Sequence, residues 1–232
     1  MHRIIKLISI FVISLSVYWV YQKTSNSYYQ IMSLGDQFSL GNTSYGVIEN
    51  SYLDDMKEIL LKTKENIEIN QTYNEKDQSI KNCLQSIQNT PNIKKDLYDT
   101  DVLVISLGYN DLLYRLSIEE NDKESNVQKI IEEIENDYKK LIEEIRKYYK
   151  EDIIVLGYIE DSRFDGNKQI GIQKLNKILK NNKEVIFIDV NELLKDREKY
   201  YSNPRSHYPN ALGYKRIATK IIQKTLENKE NV

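Results

Sequence analysis

The segment Asp101–Leu107, "DVLVISL", constrains the fold more than any other part of this 232-residue chain. Its apolar residues do not alternate with polar ones, so neither face of the strand is left for water. A strand dry on both faces belongs in the middle of a parallel sheet. Parallel neighbours need crossover connections, usually helices, because a tight hairpin joins only antiparallel strands. The rest of the chain must then place helices between strands, and its patterning does so. Strand-like stretches run over Tyr29–Leu34, Ile67–Ile69, Ile153–Tyr158 and Val185–Val190. Helical spacing covers Tyr52–Lys64, through Leu53, Met56, Ile59, Leu60 and the stem of Lys64, and Ser79–Ile87, through Ile80, Leu84 and Ile87. It returns in Asn126–Lys150, where Val127, Ile130, Ile131, Ile134, Tyr138, Leu141, Ile142 and Ile145 form one stripe. Glu135 with Lys139, and Glu143 with Lys147, are spaced to pair on the wet side of that helix. Two more helices are expected, Ile170–Leu179 and Asn210–Leu226, the latter with Ile217, Ile221, Ile222 and Leu226 inward. Ser117–Asn126 reads as a charged, solvated loop. The pattern predicts an α/β fold: a three-layer α/β/α sandwich with a five-stranded, mainly parallel sheet.

Composition narrows the function classes. Lys+Arg 33 against Asp+Glu 35 gives no basic field for nucleic acid, and no nucleic-acid partner is expected. Two histidines, His2 and His207, are too few for a histidine-built metal site, so neither metal nor cofactor is expected. The single Cys83 cannot form an internal disulfide and reads as a buried small hydrophobe.

The N-terminus has a different character. Arg3 and Lys6 precede an apolar run over Leu7–Tyr21, with Tyr18, Trp19 and Tyr21 where an interfacial aromatic belt would lie. No small-x-small cleavage site and no lipobox cysteine follow. The expectation is a signal-anchor and short tether over residues 1–27, with a domain over residues 28–232 held outside the cytoplasmic membrane, or secreted if the segment is cleaved.

In doubly wound sheets, ligands bind beyond the C-terminal ends of the strands. Three loops there carry "GDQFSLG" (Gly35–Gly41), "GYND" (Gly108–Asp111) and "HYPNALGY" (His207–Tyr214). In order and spacing they resemble the SGNH, or GDSL, hydrolase family, over essentially all of the chain after the tether. The resemblance implies the flavodoxin-like fold of that family and a serine ester hydrolase's cleft. The family's first motif supplies a serine nucleophile, the second an asparagine that helps bind the oxyanion, and the third an acid and a histidine. A serine must lose its proton to attack an ester, and preset donors must hold the negative oxygen that forms.

Matched residue by residue, Gly35 and Asp36 fit the first motif, but Gln37 stands at the serine position. Gly108, Asn110 and Asp111 fit the second fully. Pro209, Asn210, Gly213 and Tyr214 fit the frame of the third, with Tyr208 at the histidine position and His207 one place early. Arg205 and Ser206 stand where the acid would be. The second oxyanion donor, expected after the second strand, has no clear counterpart in "NQTYNEKD" (Asn70–Asp77). Two readings follow. In one, the chain is a membrane-anchored SGNH-like protein impaired in catalysis, binding a carbohydrate, a lipid or an envelope partner in the old cleft. In the other, it is a working esterase, lipase or cell-wall sugar deacetylase whose displaced triad uses Ser39 and His207, with Asp36 or Asp111 orienting the histidine.

Overall fold

A computed structural model describes residues 28–64, 66–118, 124–160 and 166–229. The expected anchor over residues 1–27 lies outside them. No helix among the described residues is long and apolar enough to cross a membrane. In chain order the elements are β1 (Tyr29–Gly35), α1 (Tyr52–Leu60), β2 (Ile67–Asn70), α2 (Ile80–Asn89), α3 (Pro91–Asp99) and β3 (Val102–Ser106). Then come α4 (Tyr109–Ile118), α5 (Glu124–Ile145), β4 (Ile153–Leu156), α6 (Gly166–Asn181), β5 (Val185–Ile188), α7 (Val190–Leu193), α8 (Arg197–Tyr200) and α9 (Ala211–Lys229).

The sheet is five-stranded in the order β2-β1-β3-β4-β5, and every adjacent pair is parallel. The order reverses between β1 and β3, the switch point at which such sheets open a ligand crevice. Ile31 pairs with Val102 and Gly35 with Ser106, so β1 and β3 end level with each other. The turns "GDQF" and "GYND" therefore leave the sheet side by side.

The buried middle strand has the expected two dry faces. Leu103 and Ile105 enter one core cluster, with α2, α3, α4, α5 and α6. Val102 and Val104 enter the other, with α1, α7 and α9. All eight residues of the α5 stripe are buried. Burying such a side chain contributes about 1.5–3 kcal/mol, so the stripe is the largest single hold on that face.

Several boundaries differ from the sequence reading. Helix α1 stops at Leu60, and Lys64 lies beyond it with its ammonium 4.0 Å from the centre of the Tyr29 ring. Ser51 caps α1 through a reciprocal box with Asp54, which fixes where the helix begins. Lys147 pairs with Glu144 at 2.7 Å, one residue from the expected Glu143. Leu226 is exposed rather than inward. Its partner helix α1 has 9 residues and α9 has 19, so the last turns of α9 run past their support. Four helices had no sequence expectation: α3, α4 and the one-turn helices α7 and α8. Helix α3 starts at Pro91 and buries only Ile93 and Leu97, a pattern too sparse to read as periodic. Helix α4 grows directly out of the "GYND" turn.

Candidate functional site

The site begins where β1 ends. Gly35 has no room for a side chain: a Cβ there would lie 2.1 Å from Ser39 Oγ and 2.6 Å from Ser106 Oγ. The following turn buries Asp36, which lines a cavity at the C-terminal edge of the sheet. One oxygen of Asp36 accepts from the backbone N–H of Phe38 at 2.9 Å. The other accepts from Asn110 Nδ2 at 3.1 Å. Burial pushes the Asp36 carboxyl up to about 7, with the charges of Asp111 and Asp77 adding to the rise and the backbone donors opposing it.

Gln37, half-buried, stands at the expected nucleophile position. Its Oε1 accepts from the backbone N–H of Asp77 at 3.0 Å and from Asn110 Nδ2 at 3.3 Å. Its Nε2 donates to Asp77 Oδ1 at 3.4 Å. Tyr208 lies beside it. Burial raises the Tyr208 phenol, against side-chain hydrogen bonds from Asn42 and Gln37.

Ser39 is turned the other way. It is fully buried, with its Oγ 2.7 Å from Tyr52 Oη and 2.6 Å from Ser106 Oγ. Burial pushes the Tyr52 phenol well above its ordinary range, so this hydroxyl trio carries no base near neutral pH. Ser106, at the end of β3, does reach the cavity wall.

The second motif holds its turn by geometry. Gly108 sits at φ +108°, a region other residues rarely enter, and leads into α4. Asn110 is shared among Asp36, Gln37 and the carbonyl of Gln78, the last at 3.4 Å. Asp111 is buried and accepts from the N–H of Ile80 at 3.1 Å, at the first residue of α2. It therefore ties two helices together, and it does not line the cavity.

The third motif keeps its frame. Asn210 donates to the carbonyl of Lys199 and accepts from Gly213 N–H, each at 3.0 Å. Tyr214 Oη donates to the carbonyl of Asn42 at 2.6 Å, linking α9 to the loop after the first turn. His207 is half-buried, its ring centre 4.4 Å from that of Tyr208 and 5.8 Å from that of Tyr109. At the acid positions, Arg205 is exposed, and Ser206 Oγ accepts from Tyr208 N–H at 3.0 Å.

The fold thus places Asp36, His207 and Tyr208 on the cavity wall, with Gln37 and Asn110 hydrogen-bonded beside Asp36, and directs Gly35, Ser39 and Asp111 into the packing around it. Sequence reading missed Asp77, Ser106, Tyr109 and Tyr158 as neighbours of the cleft. For Ser106 a signal existed, a polar residue ending an apolar strand. For Asp77 none did. Among the described residues no group of acidic, His and Cys side chains could hold a metal ion. Cys83 is buried, and its thiol is pushed up to about 12.

A family model described as GDSL-like lipase/acylhydrolase matches residues 19–221. Among solved structures, the chain is similar to the lipase Lip_vut3 from a goat rumen metagenome. The TM-score is 0.70 at 20% identity, covering 85% of this chain and 97% of that one. It is also similar to a catalytic mutant of the acetylxylan esterase Axe2 from Geobacillus stearothermophilus, with TM-score 0.61, 15% identity and coverage of 85% and 94%. A member of the lipolytic G-D-S-L family from Veillonella parvula gives 0.58 at 19% identity, covering 84% and 96%. At these identities the likeness is one of fold. No curated protein matches the chain by sequence.

Proposed function

The chain belongs to the GDSL-like lipase/acylhydrolase family, and we propose that it uses the family's cleft to bind a ligand without hydrolysing it. The observation that carries this reading is the pair of side chains around the first turn. Gln37 holds the nucleophile position with an amide, which has no nucleophilic chemistry, while Ser39 is buried between Tyr52 and Ser106. An activated serine needs a base within hydrogen-bond reach, and the partners of Ser39 are two other hydroxyls.

The walls suggest the ligand class. Phe38, Tyr109, Tyr158, His207 and Tyr208 present rings around the buried carboxyl of Asp36. Mostly apolar walls with a few fixed polar groups are the usual make-up of a small-molecule site. A carbohydrate with acyl substituents, or an acyl lipid headgroup, suits them. The residue order at the N-terminus supports an anchor: positive Arg3 and Lys6, then an apolar run to Tyr21. On this reading the domain faces the cell envelope.

The test is hydrolysis of p-nitrophenyl acetate, with fluorophosphonate labelling, by the wild type, Ser39→Ala and Ser106→Ala. All three are expected to be equally inert and unlabelled. Turnover well above background that Ser39→Ala abolishes would establish the displaced-triad hydrolase instead. Loss with Ser106→Ala would place the nucleophile at the end of β3. Protease added to intact cells is expected to digest the domain.

A further inference from the structure

We infer that Gln37 occupies the protein's own carbonyl-binding site, and that the acyl carbonyl of a ligand binds by displacing it. The inference rests on the reading of the cleft as a binding site. Its basis is the convergence of two donors on one oxygen. Asp77 N–H, from the loop after β2, and Asn110 Nδ2, from the start of α4, both reach Gln37 Oε1. That oxygen belongs to a carboxamide, so it is a planar carbonyl acceptor like that of an ester or an N-acetyl group. A backbone N–H and an asparagine amide aimed at one carbonyl oxygen form the arrangement that holds acyl groups in acyl-transfer sites. Here the chain fills it with its own side chain.

The donors have supports besides Gln37. Among the described residues, Asp77 is the one residue other than glycine with positive φ, at 60°. Asp enters that left-handed region more readily than most residues, yet it persists only where the surroundings hold it. The loop is held at two further points: Asn74 Nδ2 donates to Ser33 Oγ at 2.6 Å, and Glu75 N–H donates to the carbonyl of Gly35 at 3.2 Å. These anchors hold the loop when Gln37 rotates away, which leaves Asp77 N–H open to a ligand oxygen. The aromatic-walled cavity starts at Asp36, Phe38 and Tyr208, which surround Gln37, and can take the rest of the ligand. The buried carboxyl of Asp36 shares the Asn110 amide and disfavours an anion. The ligand class is therefore a neutral acyl carbonyl, an ester or an amide such as an N- or O-acetylated sugar carries.

The experiment is titration of the full-length protein with acetamide, read by amide nitrogen–proton spectra and amide exchange. Wild type, Gln37→Ala and the near-isosteric Gln37→Met are compared. Gln37→Ala is expected to bind acetamide about tenfold more tightly than wild type, which corresponds to about 1.4 kcal/mol. Acetamide should then shift the Asp77 N–H and the Asn110 side-chain amide. Both variants should lose exchange protection at Asp77 N–H, and Gln37→Met does so without opening a void. Equal acetamide affinity in wild type and Gln37→Ala, with Asp77 N–H still protected, overturns the inference. Ester turnover by wild type would instead overturn the non-hydrolytic reading, so the two failures are told apart.

Discussion

The turn after β1 and the segment before α9 meet at Gln37 and Tyr208, but they are held by different parts of the chain. The turn has local backbone bonds, Leu40 N–H to the carbonyl of Asp36 and Asn42 N–H to that of Gln37, but its ties to the rest of the fold run through side chains. Asp36 takes Phe38 N–H and Asn110, Gln37 takes Asp77 and Asn110, and Ser39 joins Tyr52 and Ser106. In the segment over 203–208, backbone groups are the main targets. The Arg197 guanidinium donates to the carbonyls of Pro204, at 2.7 Å, and Ser206. Asn203 Oδ1 accepts Arg205 N–H at 2.9 Å. A loop fixed through its backbone keeps its course when side chains outside those contacts change. A turn tied to distant strands through its side chains keeps those ties only with those residues. That difference explains how the third motif can hold Arg205 and Tyr208 at the acid and histidine positions while the surrounding frame is intact.

The contrast is sharpest in its response to pH. The Asp36 carboxyl has a folded-state value of about 7 against an ordinary value near 4, because burial disfavours its charged form. An acid raised in this way binds its proton more tightly in the folded state. Its stabilising contribution is complete below about pH 4 and is lost as pH rises through about 7. The loss across that window is on the order of 4 kcal/mol, since each tenfold gain in proton affinity is worth about 1.36 kcal/mol. Denaturant unfolding at pH 4 to 8 should show stability falling over the window in wild type and a flatter profile in Asp36→Asn. Asp55, also raised by burial, to about 6, should leave a residual slope. An unchanged slope in Asp36→Asn would mean that the turn is not the titrating region.

Next in size is Gly35→Ala. The new methyl has no space against Ser39 Oγ and Ser106 Oγ, and overpacking of this kind costs about 2–3 kcal/mol. Ser39→Ala should follow at about 1–2 kcal/mol, since it strips a buried partner from Tyr52 and Ser106. On the other wall, Arg205→Ala should change stability by no more than about 0.5 kcal/mol, because its side chain is exposed. Urea midpoints for the three variants measure this series. If Arg205→Ala costs as much as Gly35→Ala, the two walls are not held differently and the comparison fails.

The amino-acid sequence by itself determined the layers and the strand order's raw material. Periodicity is a local property: Val102 and Val104 point one way and Leu103 and Ile105 the other in any strand, and the α5 stripe lies on one face of any helix. The glycines and the Asn110–Asp111 pair marked the right turns for the same reason, since turn chemistry is written within a few residues. What only the tertiary structure decided was where the polar side chains of those turns point. Ser39 is shared between Tyr52, 13 positions away, and Ser106, 67 positions away. Gln37 finds Asp77, 40 positions away in a stretch with no legible pattern. Lone helices such as α3, and the exposure of Leu226, likewise depended on what lay opposite. A side chain's direction is set by the partner that satisfies it, and these partners become neighbours only after the parallel sheet has brought the ends of β1 and β3 level.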